Sequence, residues 1–264
     1  MAAREKIQSK DGTAVAYQRS GTGPPLVLVH GTLGWSRRWP ILPELEKQFT
    51  VYAVDRRGRG ESGDAQDYAI EREFEDAAAL VDSIGNGVNL LGHSFGGLCV
   101  LEAALLTAHI RRLIVYEPPP LPVLGMTLYP EGMIDHLQAL LDAGDREGMV
   151  TTFLREIVRM PPHELDLLRA SPVFPAMVAA AHTVPREQRA EEAYRFEPER
   201  FRHLNVPILL LLGGDSPQFA RATIELWHAA LPSSRIRVLP GQQHIAHYTA
   251  PDLFASEVKA FLRE

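Results

Sequence analysis

Leu90-Leu91-Gly92-His93-Ser94-Phe95-Gly96-Gly97 is the stretch that decides how this chain reads. It ends a short apolar run, residues 88–91, and leads into a helix-like segment over residues 98–107. Strand, then G-x-S-x-G, then helix is the order in which a sharp turn lifts a serine hydroxyl clear of a sheet's edge. Gly92 and Gly96 omit two β-carbons where strand and helix crowd together, so Ser94 can hold a strained, exposed conformation. Small residues cluster in many strand-to-helix turns for packing reasons alone. The flanking strand and helix give the motif its weight and make Ser94 the candidate nucleophile.

Outward from that turn, strand and helix signals alternate. Apolar runs at residues 25–30, 50–54, 88–91, 112–116, 207–212 and 235–239 have the look of strands buried on both faces. Residues 7–9 and 14–19 suggest a hairpin across Lys10-Asp11-Gly12. Helical periodicity runs through residues 42–48, 71–84, 98–107, 219–231 and 251–262. The pattern predicts an α/β fold, a mostly parallel central sheet with helices on both faces.

The alternation breaks once. From residue 118 to about 204 no strand signal appears, and the segment opens on Pro118-Pro119-Pro120-Leu121-Pro122. Helix-like pieces follow at residues 131–143, 146–158, 164–170 and 186–196, punctuated by Pro161-Pro162, Pro172 and Pro175. We expect a core of residues 1–118 and 205–264, with residues 119–204 as a helical cap inserted between sheet strands 6 and 7. Such an insertion belongs over the sheet's carboxyl edge, where open α/β folds bind ligands.

Composition narrows the function classes. The chain has 264 residues, 45% hydrophobic and 23% charged, within the range of a globular protein. A formal net charge of −6 argues against nucleic acid as a partner, since phosphate binding needs a basic face. Arg56, Arg57 and Arg59 cluster locally, and the simplest reading of them is a solvated loop beside a tight turn. Cys99 is the only cysteine, so an intrachain disulfide and a Cys/His zinc pattern are both excluded. Its place on the helix after Ser94 suggests plain packing. The first residues carry no apolar core of a signal peptide, and no apolar run approaches the ~18 residues of a membrane span. A cytoplasmic chain with no membrane association is the expectation.

Acyl transfer by a serine needs a base, a group that orients the base, and donors for the oxyanion. Of ten histidines, His244 stands out. It closes Leu239-Pro240-Gly241-Gln242-Gln243-His244, a glycine turn after the last strand-like run, while His247 sits three residues on as a helix or cap contact. One oxyanion donor is expected from the Phe95 amide. The other is expected from Thr32, in the loop His30-Gly31-Thr32-Leu33-Gly34 after the third strand.

At this point the chain resembles the α/β-hydrolase superfamily. The residues that carry the resemblance are His30-Gly31, Asp55-Arg56-Arg57-Gly58-Arg59-Gly60-Glu61-Ser62, Gly92-His93-Ser94-Phe95-Gly96, Gly213-Gly214-Asp215 and Gly241-Gln242-Gln243-His244. They occur in family order and span nearly the whole chain. The block from Asp55 to Ser62 is similar to the cap-bearing serine hydrolase branch, and there Asp55, Arg57 and Ser62 are expected to pin a turn rather than touch substrate. The resemblance implies an α/β-hydrolase fold and a triad of serine, histidine and acid. In most of the superfamily the acid lies three residues after the glycine that ends the seventh strand. Counting from Gly213, that position is Ser216, and Asp215 comes one residue early. Some branches instead place the acid at the end of the preceding strand, which here is Val115-Tyr116-Glu117-Pro118. Glu117 is the first candidate and Asp215 the second.

The expected activity is cleavage of an ester, lactone or related acyl compound through an acyl-enzyme, with no cofactor and no metal. Carbon–carbon bond hydrolysis and cofactor-free perhydrolysis use the same residues and stay open. So does a non-catalytic small-molecule binder on this fold. The resemblance excludes epoxide hydrolases and dehalogenases, which carry an aspartate where Ser94 stands. It also excludes hydroxynitrile lyases, because no lysine lies between Lys47 and Lys259. Leu33, Trp35, Leu124, Met126, Tyr129, Met133 and Phe153 are the candidate substrate-binding residues. Met126, Met133, Met160 and Met177 point to an adaptable pocket and to an apolar or aromatic small molecule.

Overall fold

The structure, a computed structural model, describes residues 3–121 and 129–264. In chain order come β1 (Ala3–Gln8), β2 (Ala14–Ser20), β3 (Pro25–Val29), α1 (Leu42–Leu45), β4 (Thr50–Val54) and α2 (Ile70–Ile84). β5 (Val88–His93), α3 (Phe95–Ala103) and β6 (Ile110–Tyr116) follow. Next are α4 (Met133–Asp142), α5 (Arg146–Thr152), a π turn (Phe153–Ile157), α6 (Pro162–Arg169), α7 (Phe174–Ala179) and α8 (Val184–Ala193). The chain closes with β7 (Ile208–Gly213), α9 (Gln218–Ala230), β8 (Ser234–Leu239), α10 (Ala246–Thr249) and α11 (Pro251–Arg263). Two compact units result: Met1–Gly31, Trp35–Pro119 and Glu197–Glu264 make one, Thr32–Gly34 and Pro120–Phe196 the other.

The first unit is built on one eight-stranded sheet of order β1-β2-β4-β3-β5-β6-β7-β8. β1 and β2 are antiparallel additions at one edge; from β4 to β8 every pairing is parallel. β5 and β7 are buried along their whole length, which is why their sequences are unbroken apolar runs. Leu26 and Leu28 of β3 share a core cluster with Leu45 of α1 and with Phe254, Val258 and Phe261 of α11. Val27 and Val29 point the other way, as alternation in a strand requires. Between β5 and β6 the register pairs Gly92 with Val115 and His93 with Tyr116.

Helix α3 begins at Phe95, three residues earlier than the sequence suggests. Gly96 and Gly97 are poor helix formers. Burial outweighs that propensity here, for every residue of α3 is buried. A Cβ on Gly92 would stand 2.3 Å from the Gly96 carbonyl oxygen and one on Gly96 2.2 Å from the Val29 carbonyl oxygen, so the first glycine lets α3 close on β5 and the second lets it close on β3.

The arginine cluster overturns its simplest reading. Arg56, Arg57 and Arg59 are all buried rather than solvated. Arg57 donates from Nε and Nη2 to the two carboxylate oxygens of Asp76, at 2.7 Å each, and from Nη1 to Asp11 at 2.9 Å. Arg56 grips Glu73 in the same forked way and lies over the Phe95 ring at 4.1 Å. Asp55 accepts the Ser36 and Glu61 amides, and Ser62 bridges the Ala16 amide to the Asp55 carbonyl. This block braces the loop after β4 from within. Arg57→Met should therefore lower unfolding stability in urea by about 3–5 kcal/mol, because it strands the buried Asp76 carboxylate. A loss under about 1 kcal/mol would show that water reaches Asp76.

The second unit is helical. Helix α4 packs on α5 and α8, and α5 on α7. Leu137, Met149, Val150 and Met177 are buried in this unit. Prolines fall in the first turns of α6, α7 and α8, where a missing N–H costs nothing, so they start helices rather than break them. That is why α7, hidden behind Pro172 and Pro175, escaped the sequence pattern. The expected helix over residues 146–158 is instead α5 followed by the π turn. Among the described residues no strand lies between Tyr116 and Ile208.

Candidate active site

Ser94 follows β5 directly and adopts φ 53°, ψ −127°, outside the regions that suit a non-glycine residue. Its own N–H donates to the Tyr116 carbonyl at 2.9 Å, and its carbonyl accepts the Gly97 amide. The side chain is left half-buried at the head of α3. The Phe95 N–H, at the first helical position, has no acceptor among the described residues. Gly31 lies against Ser94, where a Cβ would stand 2.7 Å from Ser94 Cβ.

Glu117 follows β6, the neighbouring strand, as Ser94 follows β5. It too has a positive φ, 40°, and its side chain is buried. Oε2 accepts a hydrogen bond from His244 Nδ1 at 2.8 Å. Oε1 accepts from the Gly213 amide at 2.7 Å and from Ser216 Oγ at 2.5 Å. A buried carboxylate with three donors is satisfied. Asp215, by contrast, is exposed, and its carboxylate makes no hydrogen bond among the described residues.

The loop that carries His244 is tied from several sides. Tyr116, fully buried, donates its hydroxyl proton to the Gln243 carbonyl and accepts from the Ala246 amide at 3.0 Å. His93 Nε2–H donates to the His244 carbonyl at 2.9 Å, with the two rings 4.7 Å apart. His244 itself stays partly open, its side chain 22% exposed. Its Nδ1–H is committed to Glu117, and Nε2 has no partner among the described residues. Ser94 Oγ makes no hydrogen bond to the ring, a geometry common where no substrate is bound.

Three other histidines are buried and held neutral. Burial pushes His30, His93 and His247 well below the ordinary imidazole value of 6.5, helped by Arg56 for His30, by His247 for His93 and by Arg38 for His247. In the unfolded chain each would take a proton as pH falls through about 6.5, whereas the folded chain refuses it. Stability is therefore complete above that pH and lost below it, by up to about 1.4 kcal/mol per pH unit for each histidine. Melting temperature should be flat from pH 8 to 7 and fall steeply from pH 6.5 to 5. A flat profile across the lower range would contradict the neutral assignment.

The remaining candidates are placed as follows. Trp35 is half-buried in the first unit. Thr32 and Leu33 are buried and belong to the second unit, Leu33 with φ 62°. Tyr129 is buried there and donates its hydroxyl proton to Glu191; Phe153 is buried in the π turn, and Met133 is half-buried at the start of α4. Leu124 and Met126 lie outside the described residues. The sequence pattern did not identify His93, Tyr116 and Ser216, whose partners lie more than 95 residues away. For Ser216 the signal was present, because it occupies the position where most of the superfamily has its acid. Among the described residues, no three or more His, Cys, Asp or Glu side chains are arranged to hold a metal ion. No helix among them is long and apolar enough to cross a membrane.

Known proteins agree with this architecture. An alpha/beta hydrolase from Sphaerobacter thermophilus DSM 20745 has the same fold with a TM-score of 0.85 at 37% identity, covering 97% of this chain and 99% of that one. A 2-(acetamidomethylene)succinate hydrolase of Mesorhizobium japonicum is 25% identical over 262 residues, or 93% of this chain and 90% of its own. A pimeloyl-acyl-carrier-protein methyl ester esterase of Neisseria meningitidis is 27% identical over 258 residues, or 89% and 92%. The sequence profile of the alpha/beta hydrolase family matches residues 26–257. With that match across most of its length, the chain belongs to the alpha/beta hydrolase family and is a hydrolase.

Proposed function

We propose that this hydrolase cleaves an ester, lactone or related acyl compound with Ser94 as nucleophile, His244 as base and Glu117 as the acid that orients it. The observation that carries the reading is the hydrogen bond from His244 Nδ1 to the buried Glu117 carboxylate. With its proton on Nδ1, the imidazole keeps Nε2 as the basic nitrogen, the one able to take the Ser94 proton. Ser94 Oγ attacks the substrate carbonyl as Nε2 accepts that proton. The imidazolium then gives it to the leaving alcohol, and water repeats the sequence on the acyl-enzyme. Glu117 stabilises the imidazolium without itself taking the proton. The Phe95 N–H is one oxyanion donor. Thr32 N–H is the second, on the argument that Thr32 directly follows the glycine that lies against Ser94. Each such donor is typically worth ~3 kcal/mol in the transition state. Residues 119–204 act as the cap, and the apolar side chains named above select an apolar or aromatic small molecule in the cytoplasm.

The test is sustained turnover of p-nitrophenyl acetate or butyrate, extended to a panel of esters and lactones. Mass spectrometry should find a serine-directed phosphonate on Ser94. An active preparation labelled elsewhere, or not at all, ends the serine assignment. The relative named as a 2-(acetamidomethylene)succinate hydrolase makes that compound the next arm of the panel.

A further inference from the structure

We propose that Ser216 is a positioning residue for Glu117, a reading that rests on the triad proposed above. Glu117 has two carboxylate oxygens and only one of them meets His244. The other takes two donors, the Gly213 amide at 2.7 Å and the Ser216 hydroxyl at 2.5 Å. A terminal carboxylate torsion is soft and roughly two-fold, so without such donors the group swings among many orientations. Two donors converging on Oε1 fix its plane and leave Oε2 aimed at Nδ1.

The turn after β7 is shaped for this contact. Ser216 N–H closes the turn on the Gly213 carbonyl at 3.2 Å, and the Asp215 amide ties it to the Gln242 carbonyl at 3.0 Å. A Cβ on Gly213 would stand 2.5 Å from both Ser216 Oγ and the Gln242 carbonyl oxygen. The absence of that carbon is what lets the hydroxyl come close to Glu117. The segment where most relatives in the superfamily carry the acid thus holds a donor to an acid that comes from the neighbouring strand. Among the described residues the Ser216 hydroxyl bonds Glu117 and not His244. It acts through Glu117.

A double-mutant cycle tests this. Ser216→Ala should lower kcat roughly 10- to 100-fold with KM within about three-fold of wild type, because a hydrogen bond to a charged group is lost without touching substrate. Ser216→Thr, which keeps the hydroxyl, should recover most of that loss. In a Glu117→Gln background, Ser216→Ala should change kcat by less than about three-fold, since the Gly213 amide still holds the glutamine carbonyl and no carboxylate faces His244 whichever residue stands at 216. Equal losses in both backgrounds would mark Ser216 as a structural residue of the turn and overturn the proposal. So would wild-type kcat in Ser216→Ala. If Ser94→Ala and Glu117→Gln are crippled while Ser216→Ala is unaffected, only this inference fails. Full activity in Ser94→Ala would instead bring down the triad reading itself.

Discussion

Ser94→Ala is expected to lower kcat/KM on a verified ester substrate by at least ~10³-fold while the protein melts at nearly the wild-type temperature. The two halves of that expectation have separate causes. Without Oγ no acyl-enzyme can form, and what remains is oxyanion stabilisation and substrate binding acting on water. Stability is spared because Oγ makes no hydrogen bond among the described residues, and alanine shares with serine the same cost at φ 53°. His244→Ala should be equally severe. His247→Ala should differ in kind: its ring is buried between Trp39 and His93, so the change shows in melting temperature rather than in kcat. Near-wild-type turnover in Ser94→Ala would end the proposed function.

The second large effect concerns the proposed acid. Glu117→Gln should cost ~10²- to 10⁴-fold in kcat with little change in stability. The local donors explain why so similar a side chain fails. Gly213 N–H and Ser216 O–H require an acceptor where Oε1 stands, so the glutamine carbonyl must point at them. Its NH₂ group then faces His244 Nδ1 and demands an acceptor there. The histidine is driven into the tautomer protonated on Nε2, which cannot receive the serine proton. Asp215→Asn should cost less than about three-fold, because that carboxylate is exposed and makes no hydrogen bond among the described residues. The opposite order of effects would return the acid to the turn after β7.

The sequence made some of this legible and hid the rest for physical reasons. Strands such as Ile208–Gly213 announce themselves because a central parallel strand is apolar throughout. The turn at Ser94 and the exit at Glu117 are visible because both sit where an apolar run stops abruptly. Burial of Arg56 and Arg57 was invisible, since it depends on Glu73 and Asp76, a helix away in sequence. A run of arginines looks solvated until its acids are located. The bonds from His93 and Tyr116 to the His244 loop span well over a hundred residues, and no local pattern encodes them. The early start of α3 was masked because glycine propensity and burial point in opposite directions there.

The pairing of β5 with β6 carries a mechanical consequence. Gly92 faces Val115 and His93 faces Tyr116, so Ser94 and Glu117 each leave the sheet one residue past the last pair of that ladder. Both are therefore anchored directly to the ends of neighbouring, hydrogen-bonded central strands. His244 alone arrives on a loop, tethered by side-chain bonds from Tyr116 and His93. Two of the three residues thus stand at strand ends, and the third depends on the bonds that tie its loop. Activity that fades on warming before the sheet melts would mark that loop letting go, with Ser94 still in place and still open to the phosphonate.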